Sequence, residues 1–594
     1  MNLDARRLGR WIERRLGNPT SAAAPVPAPG RERIAIAVLA VLVLCAAVAP
    51  LFATAYVLQL ATDVLTFAAL AYSWNIISGC TGYLSFGQVS FFGIGAYATS
   101  VLVLRAGLPW YVGALLGSGL AGLAAALLGT VMLRLRGIMF ALGMLGLARI
   151  LMVVAGNWDY IGAASGLTLP AELTPIAVYL ATWVAVLAAF GLNAFILHSG
   201  WGLSVTGVRD DEVAAAAIGV PTARIKVITF VMSALAPAAV GGIVAWNRSF
   251  LDPPSAFDPT LDLQVIVFAL FGGIGTLWGP ALGTVILVFV GEQFWAYLPD
   301  LQLALYGVLV IAVVLAFPGG IVGIANRLGW LRRRPVLAPA VFPVVARLPR
   351  PALQGGETII EVRDLIVRFG GLIALNGVSL SIRRGEMVSI IGANGAGKTT
   401  LFNAITGFVK PSGGGVFYQG KSVSDIPAFQ RARQGIARTF QIPRLMESMT
   451  VWENTLLAAR YGKRADQAVD QAAWALQTVK LDGLWLEPST KLTPGQQRRL
   501  EMARALALDP TVILLDEVMA GMTRNEQGEI RAVLRQLRGF GIAGVAGVEH
   551  VISAIADISD RMIVLDRGSK IAEGPPDAVL RDPLVIESYL GKVS

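Results

Sequence analysis

The chain has 594 residues, 55% of them apolar and only 15% charged, whereas soluble domains carry about 25% charged residues, so a large part of it is not built to face water. Its net charge of +10 comes without the interleaved basic and aromatic residues of a nucleic-acid-binding face, and no nucleic acid is expected as a partner. Cys45 and Cys80 lie in apolar surroundings without ligand spacing, which argues against a disulfide framework or a zinc site.

In chain order, residues 1–33 form a basic segment with Arg6, Arg7, Arg10, Arg14, Arg15, Arg31 and Arg33. The run "IAIAVLAVLVLCAAVAPLF" at 34–52 carries no charge and is long enough to cross a bilayer core. It is too long and starts too late for a secretory signal peptide. Further apolar runs fall near 55–79, 82–104, 109–133, 137–156 and 174–198, then near 227–249, 261–277, 280–297 and 301–324. This pattern predicts an all-α polytopic membrane domain at 34–324 with about ten transmembrane segments. An even number of crossings puts the basic start, Arg134, Arg136 and the Arg-rich stretch after 324 on the cytoplasmic side, in the bilayer as lipid partner.

Within this domain "GGIGTLWGP" predicts two short, broken helices, tolerated only where protein or a water-filled cavity surrounds them. Ser78–Ser100 is rich in small residues that pack helices closely or line a path. His198 ends an apolar run and reads as a structural, interfacial residue. Asp63 and Arg149 lie within apolar runs, as substrate-path groups, a structural pair or interfacial residues. Between the sixth and seventh runs stands a charged island, "GVRDDEVAAAAIGVPTARIK" at Gly207–Lys226.

Residues 325–356 hold five prolines and no sustained periodicity, as an extended linker does. From 357 to 594 strand-like and charged helical runs alternate, predicting an α/β domain. "GANGAGKT", Gly392–Thr399, fits the phosphate-loop pattern between a strand-like and a helix-like run. Gly392, Asn394, Gly395, Ala396 and Gly397 would offer backbone N–H groups to phosphates, with Thr400 continuing into the helix. Lys398 would neutralise the β- and γ-phosphates of ATP, and the Thr399 hydroxyl would hold Mg²⁺. "TVILLDE" ends a buried-strand run in Asp516, a magnesium carboxylate, and Glu517, a water-activating base. His550 follows a further strand-like run.

"LTPGQQRRLEMARALALDP", Leu492–Pro510, gives the second half its resemblance to the P-loop ATP-binding subunit of ABC transporters. The resemblance places Thr493, Gly495 and Gln496 in the signature that completes a partner's ATP site in trans. It places Phe369 on the adenine, Gln441 as magnesium sensor and membrane-partner contact, and His550 on the γ-phosphate. ATP would close a dimer of such domains and hydrolysis would reopen it. Thr493 stands where serine is usual, and Val518 and Thr523 replace a common proline and a common Asp or Asn, which puts communication across the dimer in question.

The first half, through "SWNIISGCTGYLSFGQVSFFGIGAYATS", "VRDDEVAAAAIGV" and "GGIGTLWGPALG", resembles a LivM-type permease of branched-chain amino acid importers, and the second resembles its LivG-type ATPase. The island at about 200–226, with Arg209, Asp210, Asp211, Glu212 and Gly219, then corresponds to the cytoplasmic coupling loop. The resemblance implies uptake of branched-chain or other hydrophobic amino acids across the bacterial inner membrane. It also implies a second permease and ATPase (LivH-like and LivF-like) or a second copy of the chain, with an extracytoplasmic solute-binding protein. Related permeases carry urea, short amides or small carboxylates, and an ATP-gated channel or sensor, or an exporter, are rival readings.

Overall fold

The computed structural model describes residues 52–170, 174–297, 319–327, 338–345, 356–517, 522–548 and 556–590, with a few isolated positions besides. The basic start at 1–33, nearly all of the run 34–52, most of the run 301–324, and Cys45, Val518 and His550 lie outside the described residues. The chain divides into two units, one within 27–209 and 223–334, the other joining 210–222 to 335–594.

The first unit is helical. It contains α1 (Ala55–Trp74), α2 (Gln88–Ala106), α3 (Trp110–Met132), α4 (Ile138–Asn157), α5 (Pro175–His198) and α6 (Gly200–Asp210). Beyond the charged island follow α8 (Thr222–Arg248), α9 (Pro259–Gly272) and α10 (Gly279–Tyr297), with α7 (Glu212–Ala217) inside the island. Among the described residues seven helical segments are long and apolar enough to cross a bilayer, and Gly279–Glu292 is a shorter apolar helix. These match eight of the predicted runs; the described residues therefore do not reach the expected ten. Helix starts follow local chemistry: Thr54, Thr174 and Asp258 each accept a backbone N–H as N-cap, and Pro175 and Pro259 follow two of them. The second span starts at Gln88 rather than 82, because a π-helical turn, Asn75–Gly79, and a loop intervene. His198 ends α5, its Nδ1 3.0 Å from Ala194 O, and Cys80 is buried.

The predicted break lies between Gly272 and Gly279. Its exposed backbone groups need partners, and buried asparagines supply them. Asn75 Oδ1 accepts from Gly275 N (2.7 Å), while its Nδ2 donates to Thr276 O (3.2 Å) and Asn193 Oδ1 (2.8 Å). Asn193 Nδ2 donates to Tyr72 O (2.9 Å) and Ala189 O (3.0 Å). A Cβ at Gly272 would lie 1.8 Å from Gly279 O, so only glycine allows this approach.

The second unit carries two sheets. Its strands are β1 (Thr358–Phe369), β2 (Leu372–Arg383), β3 (Met387–Ile391), β4 (Gly413–Tyr418), β5 (Lys421–Ser422), β6 (Ile436–Arg438), β7 (Val512–Asp516), β8 (Ala543–Val548), β9 (Arg561–Asp566) and β10 (Ser569–Gly574). The larger sheet has the order β10-β9-β3-β8-β7-β6, parallel except for the antiparallel edge β10. The smaller, antiparallel sheet has the order β2-β1-β4-β5. Both faces of the parallel strands are covered, so β3 and β7 are buried at every residue and read as unbroken apolar runs. The helices used below are α11 (Lys398–Thr406), α12 (Ala428–Gln434), α13 (Val451–Tyr461), α14 (Ala468–Thr478), α15 (Pro494–Ala507) and α16 (Arg524–Gly539). Phe342, from the proline-rich segment, packs edge-on against Trp452 and Trp485, tying that segment to this unit.

Replacing Asn75 with Ala leaves the Gly275 N–H and the Asn193 amide short of partners. The expected loss is on the order of 1–3 kcal/mol, read as a lower thermal midpoint of the detergent-solubilised protein; an unchanged midpoint would show that the asparagines do not hold the break.

Candidate functional site

The central strands β3, β8 and β7 lie side by side, and their carboxyl ends carry the chemistry-bearing residues. After β3 the loop 392–397 turns into α11, with Gly395 at φ +83° and Gly397 at φ +101°. A Cβ at Gly397 would lie 2.8 Å from Ala374 O, so the loop keeps its shape only with glycine. Lys398, at the start of α11, folds back over the loop and donates from Nζ to Gly392 O (2.6 Å) and Ala393 O (3.1 Å). Asn394, Gly395 and Thr399 are exposed, Ala396 is buried, and Thr400 is half-buried. The loop thus presents its open side, as a phosphate cradle must. Phe369, at the end of β1, is 50% exposed, available as a stacking surface.

Asp516 ends β7 almost fully buried; its backbone N–H donates to Thr439 Oγ1 (3.2 Å). Its carboxylate stands 3.9 Å from the Arg438 guanidinium. Glu517 is held at φ +47°, an unusual backbone for glutamate, with its N–H on Gly547 O (3.1 Å). Gln441 Nε2 donates to Glu517 Oε2 at 3.0 Å, which brings two sequence-predicted site residues into contact. Lysine, hydroxyl, carboxylate and open glycine loop fit ATP with a magnesium ion: Thr399, Asp516 and Gln441 supply the oxygen donors such an ion takes.

Thr493 is the N-cap of α15: its Oγ1 accepts from Gln496 N (3.3 Å) and Gln496 Oε1 accepts from Thr493 N (2.9 Å). The hydroxyl proton remains available, so threonine keeps the donor that serine would offer. Thr523 plays the same capping part for α16 with Glu526.

The inner face of α15 holds residues that sequence reasoning missed. Arg498, Glu501 and Arg504 recur every three residues, which puts them on one helix face. Arg498 donates from Nη1 to Phe440 O (2.8 Å) and from Nη2 to Gln441 O; Glu501 Oε1 accepts from Phe440 N (2.9 Å). Arg504 donates to Arg444 O and to Ala214 O (3.5 Å). Helix α15 therefore grips both the strand-to-loop segment bearing Gln441 and the charged island. Burial pushes the Glu501 carboxyl up to about 7, against the pull of the Phe440 N–H and of Arg504 and Arg498. Burial likewise lowers the Arg504 guanidinium to about 10, opposed by Glu501 and Asp211, and it stays charged at neutral pH.

The island segment 210–222 belongs to this unit. Asp211 caps α7, its Oδ1 accepting from Ala214 N (2.8 Å), while Oδ2 pairs with Arg444 Nη1 (3.1 Å). Asp210 Oδ2 accepts from Ser448 N (2.9 Å) and Ser448 Oγ (2.5 Å). Gly219, at φ +88°, offers its carbonyl to Arg433 Nε (2.8 Å), and a Cβ there would crowd Arg433 and Tyr461. Glu212 opens α7, and Arg209 instead donates to Gly79 O (3.3 Å) within the helical unit.

Comparison with known proteins agrees with this geometry. The family model for the permease component of the branched-chain amino acid transport system matches residues 56–314, the ABC transporter model 375–520, and the branched-chain amino acid ATP-binding cassette transporter model 569–593. The ATP-binding protein BraF of Pseudomonas aeruginosa, described as serving high-affinity branched-chain amino acid transport, is 37% identical over 250 residues, covering 39% of this chain and 98% of BraF. LivG of Escherichia coli is 36% identical over 40% of this chain and 99% of its own length. A probable LivG of Archaeoglobus fulgidus is 35% identical, over 39% and 95%. The chain belongs to the branched-chain amino acid ABC transporters. It joins the family's permease and ATPase domains in one multi-pass membrane polypeptide, and its second half is an ABC-type ATPase.

Because folding raises the Glu501 carboxyl from its ordinary 4.5 to about 7, the folded state holds a proton that the unfolded chain releases within that window. Its contribution is full below the window and is lost as pH rises through it. Glu501→Gln, which keeps an acceptor for Phe440 N–H, should flatten the fall in thermal midpoint between about pH 5 and about pH 8; parallel slopes in the two proteins would contradict this.

Proposed function

We propose that this protein is the fused permease and ATPase of an importer that couples ATP hydrolysis to uptake of branched-chain or other hydrophobic amino acids across the bacterial inner membrane. One observation carries the reading: polar contacts lead from Asp211 through Arg444 to Arg504 on α15, and from Arg498 on the same helix to Gln441 and Glu517. The island between membrane helices is thereby linked to the carboxylate assigned to hydrolysis.

In the proposed cycle ATP lies on the phosphate loop, with its adenine against Phe369 and its β- and γ-phosphates against the loop N–H groups and Lys398. Thr399, Asp516 and Gln441 would hold a Mg²⁺ ion, which when bound would supply neutralisation of phosphate charge. Glu517 orients and deprotonates the attacking water, and the Gln441 amide, in contact with it, positions its carboxylate. His550 stabilises γ-phosphate charge. Thr493, Gly495 and Gln496 face the ATP of a second domain, so closure needs a partner ATPase. The partners are a LivH-like permease with a LivF-like ATPase, or a second copy, together with an extracytoplasmic solute-binding protein. Arg504 and Arg444 would convey closure to α7, because both contact it or its cap.

The decisive test is reconstitution into proteoliposomes with the co-purifying chains and the cognate binding protein. ATP-dependent uptake of labelled leucine, and none of urea, is expected; uptake of urea alone, or solute flux without hydrolysis, would refute the reading. Glu517→Gln should retain ATP binding while turnover falls by about 10²-fold or more. Asp211→Ala removes both the α7 cap and the Arg444 partner, so uptake should fall several-fold further than ATPase activity. Equal losses would show that the island does not couple the two.

A further inference from the structure

The helical unit contains a second feature that the transport reading leaves unused. A cavity of about 640 Å³ opens between the end of α3 and the start of α8. Arg134, Arg136, Arg224 and Lys226 line it, together with Thr130 and Leu133, and among the described residues none of its lining is acidic. Lys226 is buried, its Nζ donating to Tyr83 Oη (3.0 Å) and Leu133 O (3.2 Å) and lying 5.1 Å from the Tyr83 ring centre. One cation is thus fixed in the wall, and the three arginines are exposed around it. Arg134 and Arg224, both exposed at its mouth, add positive potential to the concavity, which draws an anion.

The side of the membrane follows from the chain. Basic residues at the ends of apolar runs mark the cytoplasmic side, and Arg134, Arg136, Arg224 and Lys226 stand at such ends, so the cavity lies at the cytoplasmic end of the spans.

The surface next to it fixes the kind of anion. On α3, Leu127 and Val131 stand one turn apart, 66% and 61% exposed, and Arg134 follows in the turn just after the helix. On α8, Ile228 stands one turn beyond Arg224 and is also exposed. Both helices therefore run from exposed apolar surface into basic cavity in the same direction, which is the order of acyl chain and headgroup in a phospholipid. Inorganic phosphate would use only the basic part. Basic pockets between spans on the cytoplasmic side are suited to anionic headgroups.

We propose that this cavity binds the phosphate headgroup of an anionic phospholipid, with its acyl chains along Leu127, Val131 and Ile228. The inference is independent of which solute is transported. The test uses the intact protein in nanodiscs of phosphatidylethanolamine doped with phosphatidylglycerol or cardiolipin, followed by native mass spectrometry of retained lipid. Wild type should retain the anionic lipids over phosphatidylethanolamine. Arg224→Gln should lower that retention by about fivefold, since one basic residue near a membrane surface contributes about 1 kcal/mol. The charge-keeping variant R134K/R136K/R224K should retain the lipid, separating lost charge from lost fold. Equal retention of neutral and anionic lipid by wild type would overturn the proposal, as would retention unaffected by Arg224→Gln. Displacement of the lipid by millimolar inorganic phosphate would overturn it in favour of a soluble anion.

Discussion

The link between the island and the Gln441 segment depends on the buried ionisable groups of one helix face. Arg498, Glu501 and Arg504 lie where water cannot solvate them, so each needs a partner from another segment. The partners are backbone carbonyls and an N–H of the chain around Gln441, with Ala214 in the island. The island also buries Ala214, Ala215, Ile218 and Val220, so apolar packing and these bonds act together, and a displacement of α15 breaks the bonds or carries the segments with it.

This arrangement explains how a nucleotide site and a loop between membrane helices can share one fate. The same helix is capped at Thr493 and, near its other end, meets α7 through Arg504. A rigid helix passes on movement without needing a soft relay. Asp211 has two tasks, capping α7 and pairing with Arg444, so its carboxylate fixes both the shape of the island and its attachment. Gly219 completes the attachment, since a side chain there would meet Arg433 and Tyr461.

The membrane part solves a different problem with similar means. A chain broken between Gly272 and Gly279 in apolar surroundings leaves backbone donors and acceptors that lipid cannot satisfy. Asn75 and Asn193 supply the missing partners, and the glycines allow the close approach. Thr62, Ser100, Thr182 and Thr229 likewise donate to carbonyls one turn back in their own helices.

How much could be read in advance depended on the range of the interactions involved. Local signals were legible: apolar runs, the glycine pattern of "GANGAGKT", and the unbroken apolar strand before Asp516. Each is set by residues within a few positions along the chain, so the amino-acid order by itself determined the helical membrane half, the α/β half and the glycine-rich turn between β3 and α11. The stripe of Arg498, Glu501 and Arg504 is visible as a spacing, yet spacing does not say what a buried charge pairs with. Only the tertiary structure decided that it meets Phe440, Gln441, Arg444 and Ala214, that 210–222 belongs with the ATPase while Arg209 stays with the helices, and that Asn75 meets Gly275. The reason is physical: those partners lie tens to hundreds of residues apart, and only closure of the whole chain brings them within hydrogen-bonding distance.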